Sequence, residues 1–197
     1  MRLLLASGSA TRRRMLEAAG IPFDWGSPGA DEEKAKQRLV AVGAGAAAIA
    51  QHLAELKALS LPGRPDDLVL GSDQVLEQAD GTMLSKAGSR SEASEQLRAL
   101  SGKEHRLHSA ASLVQQGQAV WRGMETATLR MRPLSEQFIE TYLEQEWEEV
   151  GSSVGVYRIE GPGVQLFEKV EGSHWAILGM PLLPLLEELR GHGIMAS

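Results

Sequence analysis

Apolar positions in this chain come as short continuous runs and as helical stripes, and the two alternate along its N-terminal part. Leu3-Leu4-Leu5-Ala6 reads as a buried strand over about residues 2–6. A helix follows from about Thr11 to Ala19, stopped by Gly20 with Pro22 beyond it. Residues 23–31 read as an extended segment and a turn ending at Asp31-Glu32. Residues 33–60 give an Ala-rich helical region broken near Gly43 and Gly45, and its second half, AAAIAQHLAELKALSL, has apolar i, i+3, i+4 spacing.

After the loop Pro62–Asp67, LVLGSDQVLE (68–77) predicts a buried strand interrupted by polar residues. Ser91 to Leu100 is a helix closed by Ser101-Gly102. Residues 105–114 and 118–131 form a hairpin around Gln115-Gln116-Gly117, and Ser135 caps the helix LSEQFIETYLEQ. VGVYRIEG (154–161) and GVQLFEKVEG (163–172) read as further strands, and Pro181 begins a final helix. No repeat, linker or low-complexity tail divides the chain. The pattern predicts an α/β unit with a mixed sheet, one domain over residues 1–197.

Composition narrows the chemistry. A net charge of −6 argues against bulk electrostatic binding to nucleic acid or membrane. Against that background Arg12-Arg13-Arg14 is a local cationic cluster suited to a small anion. The absence of cysteine excludes disulfides, thiolate metal sites and cysteine nucleophiles, and fits a reducing cytoplasm. Arg2 with an apolar run and small residues has the outline of a leader, but the run is too short for one and reads as the first strand. No stretch approaches the length of a transmembrane helix.

Candidate chemistry sits where packing favours apolar residues. Ser7-Gly8-Ser9 lies between a strand and a helix N-terminus, whose free N–H groups and partial positive charge attract anions. An ordinary junction with Ser9 as N-cap fits equally. Asp73 and Gln74 interrupt an apolar strand, where a carboxylate is costly unless it is paired or binds a metal. Gly71-Ser72 before them would let a ligand approach closely. Taken alone, Asp31-Glu32 are first-turn helix carboxylates, and Lys57 and Lys86 are solvated. Arg158 and Glu160 alternate with apolar neighbours and form an ion pair on an exposed strand. The five histidines lack HxxxH or HExxH spacing, and no Walker A, GxGxxG or GxSxG pattern occurs.

Together these segments resemble the Maf family of nucleoside triphosphate pyrophosphatases over nearly the whole chain. LLLASGSATRRRMLEAAGI is similar to the family's ASxSPRRxxLL opening, and Asp31-Glu32 to its next acidic pair. LAELKA, LGSDQV and LSKAG stand at the lysine helix, the aspartate strand and the GKP loop. EASEQLRALSGKEHRLHSA resembles AxxMLxxLSGxxHxVxTG, and METATLRMRPLSEQFIETYL the ExTxVxFxxLS region. VGVYRIEGPGVQLFEKVEGSHWAILGMPLLPL resembles the closing GxYxIQGxGxxxIxxIxGxxxNVVGLPL block. There are departures. Ala10 and Thr11 replace the proline and first arginine, Ser85-Lys86-Ala87 replaces GKP, and His174-Trp175 replaces an asparagine-bearing loop. Gln74, Arg158 and Glu160 are similar to a subgroup associated with 7-methyl-GTP; dTTP/UTP-type members carry other residues there.

The resemblance implies two lobes around a deep cleft, as in inosine triphosphatase-like folds, and hydrolysis of a nucleoside triphosphate to monophosphate and pyrophosphate in the cytoplasm. It implies that Ser7, Ser9, Arg12 and Arg13 hold the triphosphate and that Lys57 and Lys86 neutralise it. Glu32 and Asp73 would hold Mg²⁺ or Mn²⁺, with Asp73 also orienting or deprotonating water, while Gln74, Arg158 and Glu160 read the base. A homodimer follows from family habit. A dTTP/UTP pyrophosphatase and a nucleotide-binding regulator of septum formation with little turnover are the alternatives.

Overall fold

The computed structural model describes residues 1–196. Its elements in chain order are β1 (Arg2–Ala6), α1 (Ala10–Ala18), β2 (Phe23–Gly26), α2 (Glu32–Ala41), α3 (Ala46–Ser60), β3 (Asp67–Gln78) and β4 (Met83–Leu84). There follow α4 (Arg90–Leu100), β5 (Glu104–Gln115), β6 (Gln118–Met131), α5 (Glu136–Val150), a 3₁₀ turn (Pro162–Leu166), β7 (Phe167–Glu171), α6 (His174–Ile177) and α7 (Leu182–Gly191). The sheet has seven strands in the order β2-β1-β3-β5-β6-β7, with β4 on β3. It is mixed: β1 runs parallel to β2 and β3, whereas β3–β4 and β6–β7 are antiparallel. The α/β class with a mixed sheet is as the sequence predicts.

The chain forms two compact units. The first contains residues 1–74, 108–125 and 173 onward; the second contains residues 75–107 and 126–172. In the first, β1 and the start of β3 are apolar on both faces. Leu3, Leu5, Leu68 and Leu70 pack with Leu16 of α1 and Leu185 of α7, as expected of parallel strands covered by helices. The register Arg2↔Asp67 begins this pairing. The Arg2 guanidinium donates to both Asp67 carboxylate oxygens, at 3.0 and 2.7 Å. That fork, helped by the Arg64 N–H, holds the Asp67 carboxyl down to about 2.

Helix limits follow local chemistry. Ser9, Asp31, Ser89 and Ser135 each cap a helix by accepting an N–H three residues on. Gly43 and Gly45 separate α2 from α3, as predicted. Two expectations are corrected. LVLGSDQVLE is not interrupted: β3 runs through Asp73 without a break. VGVYRIEG is not a strand: Gly155 and Val156 take φ of 79° and 61°, turning the chain. Left-handed backbone at a β-branched residue is strained, and its surroundings hold it. Val156 is fully buried, and its carbonyl accepts the Tyr142 hydroxyl at 3.2 Å. The next predicted strand begins only at Phe167, after the 3₁₀ turn.

In the second unit His105 is 1% exposed, and its Nε2 lies 2.7 Å from the buried Tyr157 hydroxyl. Burial pushes the imidazole from 6.5 down to about 4. Between these values the unfolded chain binds a proton that the folded chain does not. Stability is therefore full above the unfolded value, falls as pH drops through this window, and levels off below it. The expected loss between about pH 7 and about pH 5 is roughly 2 kcal/mol. Urea titrations at the two pH values check this. The His105→Asn variant should lose that part of the dependence, and an unchanged dependence would remove His105 as its source.

Candidate functional site

Alternation along β3 decides which polar side chains meet. Successive residues of a strand face opposite ways, so Ser72 and Gln74 share one face and Asp73 takes the other, toward α3. There the Lys57 ammonium lies 2.6 Å from Asp73 Oδ1 and 3.0 Å from Glu32 Oε2. Lys57 and Asp73 are buried, at 7% and 9% exposure, whereas Glu32 is half-buried. Glu32 is in place because Asp31 caps α2, which sets the next residue in the first turn. Taken alone, the sequence placed Asp31-Glu32 in a first helical turn and Lys57 in solvent. The fold puts Glu32 in that turn and Asp31 just before it as the N-cap, and the ion pairs take Lys57 out of solvent.

Gly71 makes this meeting possible. A Cβ there would lie 2.0 Å from the Ala54 carbonyl and 2.6 Å from the Ala58 N–H. The bare glycine lets α3 approach β3 two residues before Asp73, on the same face, so its neighbour is a helix, not the ligand expected from the sequence. Ser72 likewise is fully buried.

The arginines separate. Arg12 is half-buried; its Nε donates to the Gly179 carbonyl at 3.0 Å. Desolvation lowers its pKa, and the Asp73 and Glu32 charges oppose that shift, so the guanidinium feels the carboxylate pair. Arg13 instead lies over the Trp25 ring of β2, 4.1 Å from its centroid, a cation–π contact. Arg14 is exposed. The expected basic pair Arg12-Arg13 is thus not one cluster. Ser7 Oγ accepts the Ser9 N–H at 3.1 Å, and Ser9 Oγ accepts the Arg12 N–H at 3.3 Å. Both hydroxyls organise the strand–helix junction.

Gln74 is also engaged. Its Nε2 lies within 2.9–3.0 Å of the Ser109 hydroxyl and the Ala176 and Ile177 carbonyls. The remaining predicted residues belong to the second unit. Lys86 is exposed in the loop after β4, and Glu160 is exposed. Arg158 donates to Glu146 Oε2 at 3.1 Å and pairs with Glu149 at 3.2 Å. The Glu146 hydrogen bond is the main cause of its raised pKa. Its expected strand pairing with Glu160 is replaced by these contacts, because the segment turns and delivers the guanidinium to α5.

No cluster of three or more His, Cys, Asp or Glu side chains suited to a metal occurs among the described residues. Glu32 and Asp73 offer two hard carboxylates that share Lys57. That donor set fits Mg²⁺ or Mn²⁺, which bind through one or two carboxylates and complete their shells with water and substrate phosphates. No helix among the described residues is long and apolar enough to cross a membrane.

The family model described as Maf-like protein matches residues 2–192. A nucleoside triphosphate pyrophosphatase of Sphingopyxis alaskensis is 45% identical over 195 residues, covering 98% of each chain. A nucleoside triphosphate pyrophosphatase of Paramagnetospirillum magneticum is 47% identical, covering 96% of this chain and 98% of its own. A 7-methyl-GTP pyrophosphatase of Rhizobium meliloti is 45% identical, covering 97% and 96%. With a family model that matches nearly the whole chain and relatives 45% and 47% identical along its length, the chain belongs to the Maf-like protein family.

Proposed function

We propose that this chain is a hydrolase that converts a nucleoside triphosphate and water to the nucleoside monophosphate and pyrophosphate, with 7-methyl-GTP the preferred substrate. The observation that carries the reaction is the Lys57 ammonium between Asp73 and Glu32, with the Arg12 guanidinium within their field. Phosphoryl chemistry of this kind needs positioning and charge stabilisation more than covalent catalysis. Arg12 binds the triphosphate through the terminal nitrogens that its Nε tether leaves over. Lys57 fixes the Asp73 carboxylate and presents its one remaining donor to phosphate. Asp73 orients water for attack on the α-phosphorus and takes its proton as the bond to the β-phosphate oxygen breaks. A divalent cation held by Asp73 and Glu32 would supply charge neutralisation. Ser9, which caps the helix that carries Arg12, completes the phosphate contacts in this reading. The whole chain acts as one functional unit in the cytoplasm; a homodimer is part of the same proposal.

The base preference rests on Glu160. Its exposed carboxylate only accepts hydrogen bonds, and guanine offers paired N–H donors. Uracil and thymine offer one N–H flanked by carbonyl oxygens that a carboxylate repels. A methylated, positively charged ring adds attraction, and two relatives carry the 7-methyl-GTP name. Arg158, held by Glu146 and Glu149, steadies the segment that presents Glu160.

A panel of nucleotides with Mg²⁺ or Mn²⁺, with the phosphorus products identified, tests the whole reading. Expected are pyrophosphate and monophosphate, with 7-methyl-GTP ahead of dTTP and UTP in kcat/KM by at least about tenfold, and a smaller gap in Glu160→Gln. A preference for dTTP or UTP would discard the base assignment and leave the reaction. Orthophosphate as the product, or binding without turnover, would discard the reaction itself.

A further inference from the structure

Three polar side chains of the first unit, Ser72, Gln74 and Ser109, are left unused by the proposed reaction, and they converge on one turn. Helix α6 ends at Ile177, and the last carbonyls of a helix have no partner within it. Ser109 Oγ donates to the Ala176 carbonyl at 2.6 Å, and Gln74 Nε2 reaches the Ala176 and Ile177 carbonyls at 2.9 and 3.0 Å. Ser72 Oγ lies 2.9 Å from both the Gly179 and the Ala110 carbonyls, so its single proton ties the turn to the sheet. Just beyond, Met180 is fully buried in the apolar core.

The Gly179 carbonyl has a second partner, the Arg12 Nε at 3.0 Å. Gly179 has φ of 103°, and a Cβ there would lie 3.3 Å from an Arg12 terminal nitrogen. Only glycine combines that backbone with that proximity. No carboxylate forms an ion pair with Arg12 among the described residues that the structure pairs, so the neutral carbonyl is what aims its guanidinium. The carbonyl is itself immobilised from behind by Ser72, the residue before Asp73 in the chain.

We propose that Ser72 and Gly179 are positioning residues for Arg12. Through the Gly179 carbonyl they fix the one orientation of the guanidinium in which its terminal nitrogens meet the substrate's phosphates. This rests on the pyrophosphatase reading above. Anchoring Nε removes most of the side chain's rotational freedom before substrate arrives, and misplacement by about an ångström is enough to cost a large part of the rate.

A double-mutant cycle tests it, with kcat and KM for pyrophosphate release measured on wild type, Ser72→Ala, Arg12→Ala and the double variant. If Ser72 acts through Arg12, Ser72→Ala lowers kcat/KM about tenfold alone and less than about twofold in the Arg12→Ala background. A merely structural serine gives equal losses in both backgrounds, which would overturn the proposal. Gly179→Ala provides the second cycle and the same expectation should Ser72→Ala fail to fold. If wild type releases no pyrophosphate, the pyrophosphatase reading fails separately. Calorimetric binding of inorganic triphosphate to the same four proteins then decides: non-additive losses of affinity keep the positioning role, and additive losses end it.

Discussion

Asp73→Asn is expected to lower kcat at least about a hundredfold, the scale of a lost general base or charged ligand. Asparagine keeps the shape and can still accept from Lys57 at the 2.6 Å contact, so the fold should survive the change. What it loses is the negative charge and the capacity to take a proton. Asp73 is the carboxylate of β3 that forms an ion pair with Lys57 of α3. Turnover is measured as pyrophosphate release, and thermal unfolding confirms that the variant is folded. A folded Asp73→Asn enzyme with near-normal kcat would show that water is activated elsewhere and would leave Asp73 as a structural counterion.

Much of this site is local in sequence and was legible there. A strand ending in small hydroxyl residues, a pair of carboxylates where a helix begins, and a carboxylate inside an apolar run each carry their own signal. The glycine break between α2 and α3 was legible for the same reason. The unread parts depend on contacts between residues far apart. A lysine read by its residue type is solvent-facing, yet on the helical wheel Lys57 falls among Ala46, Ala50, Leu53 and Ala54, the stripe that packs on Gly71. The base-reading role of Gln74 comes from the family resemblance alone, not from the pattern of its strand. Period-two alternation put it on the opposite face, where the Ala176 and Ile177 carbonyls require donors.

Residues 154–161 misled for a different reason. VGVYRIEG has the composition of a strand, and Val156 is a poor candidate for left-handed backbone. The turn exists because Tyr142 and the buried surroundings of Val156 oppose that local preference. The Arg12-Arg13-Arg14 run misled in yet another way. Three adjacent side chains on a helix point in three directions, and the fold gives them a carbonyl, an indole and solvent respectively. Charge density along the sequence was therefore a poor guide to charge density in space.

Lys57→Met should damage both activity and stability, and the two losses should separate in a double variant. Methionine fills a similar volume without charge. It leaves Asp73 buried with its closest cationic partner gone and Glu32 facing it. Removing one member of a buried pair costs about 3 kcal/mol or more, most of it from the uncompensated charge that remains. Adding Asp73→Asn removes that charge, so Lys57→Met/Asp73→Asn should recover most of the lost stability in urea titration. Activity should not return, because both the phosphate-facing cation and the base are then absent. kcat/KM is expected to fall at least about a hundredfold in Lys57→Met alone. Stability losses that simply add would mean that Lys57 and Asp73 are separately solvated. Activity restored with stability would mean that the ion pair serves the fold and not the reaction.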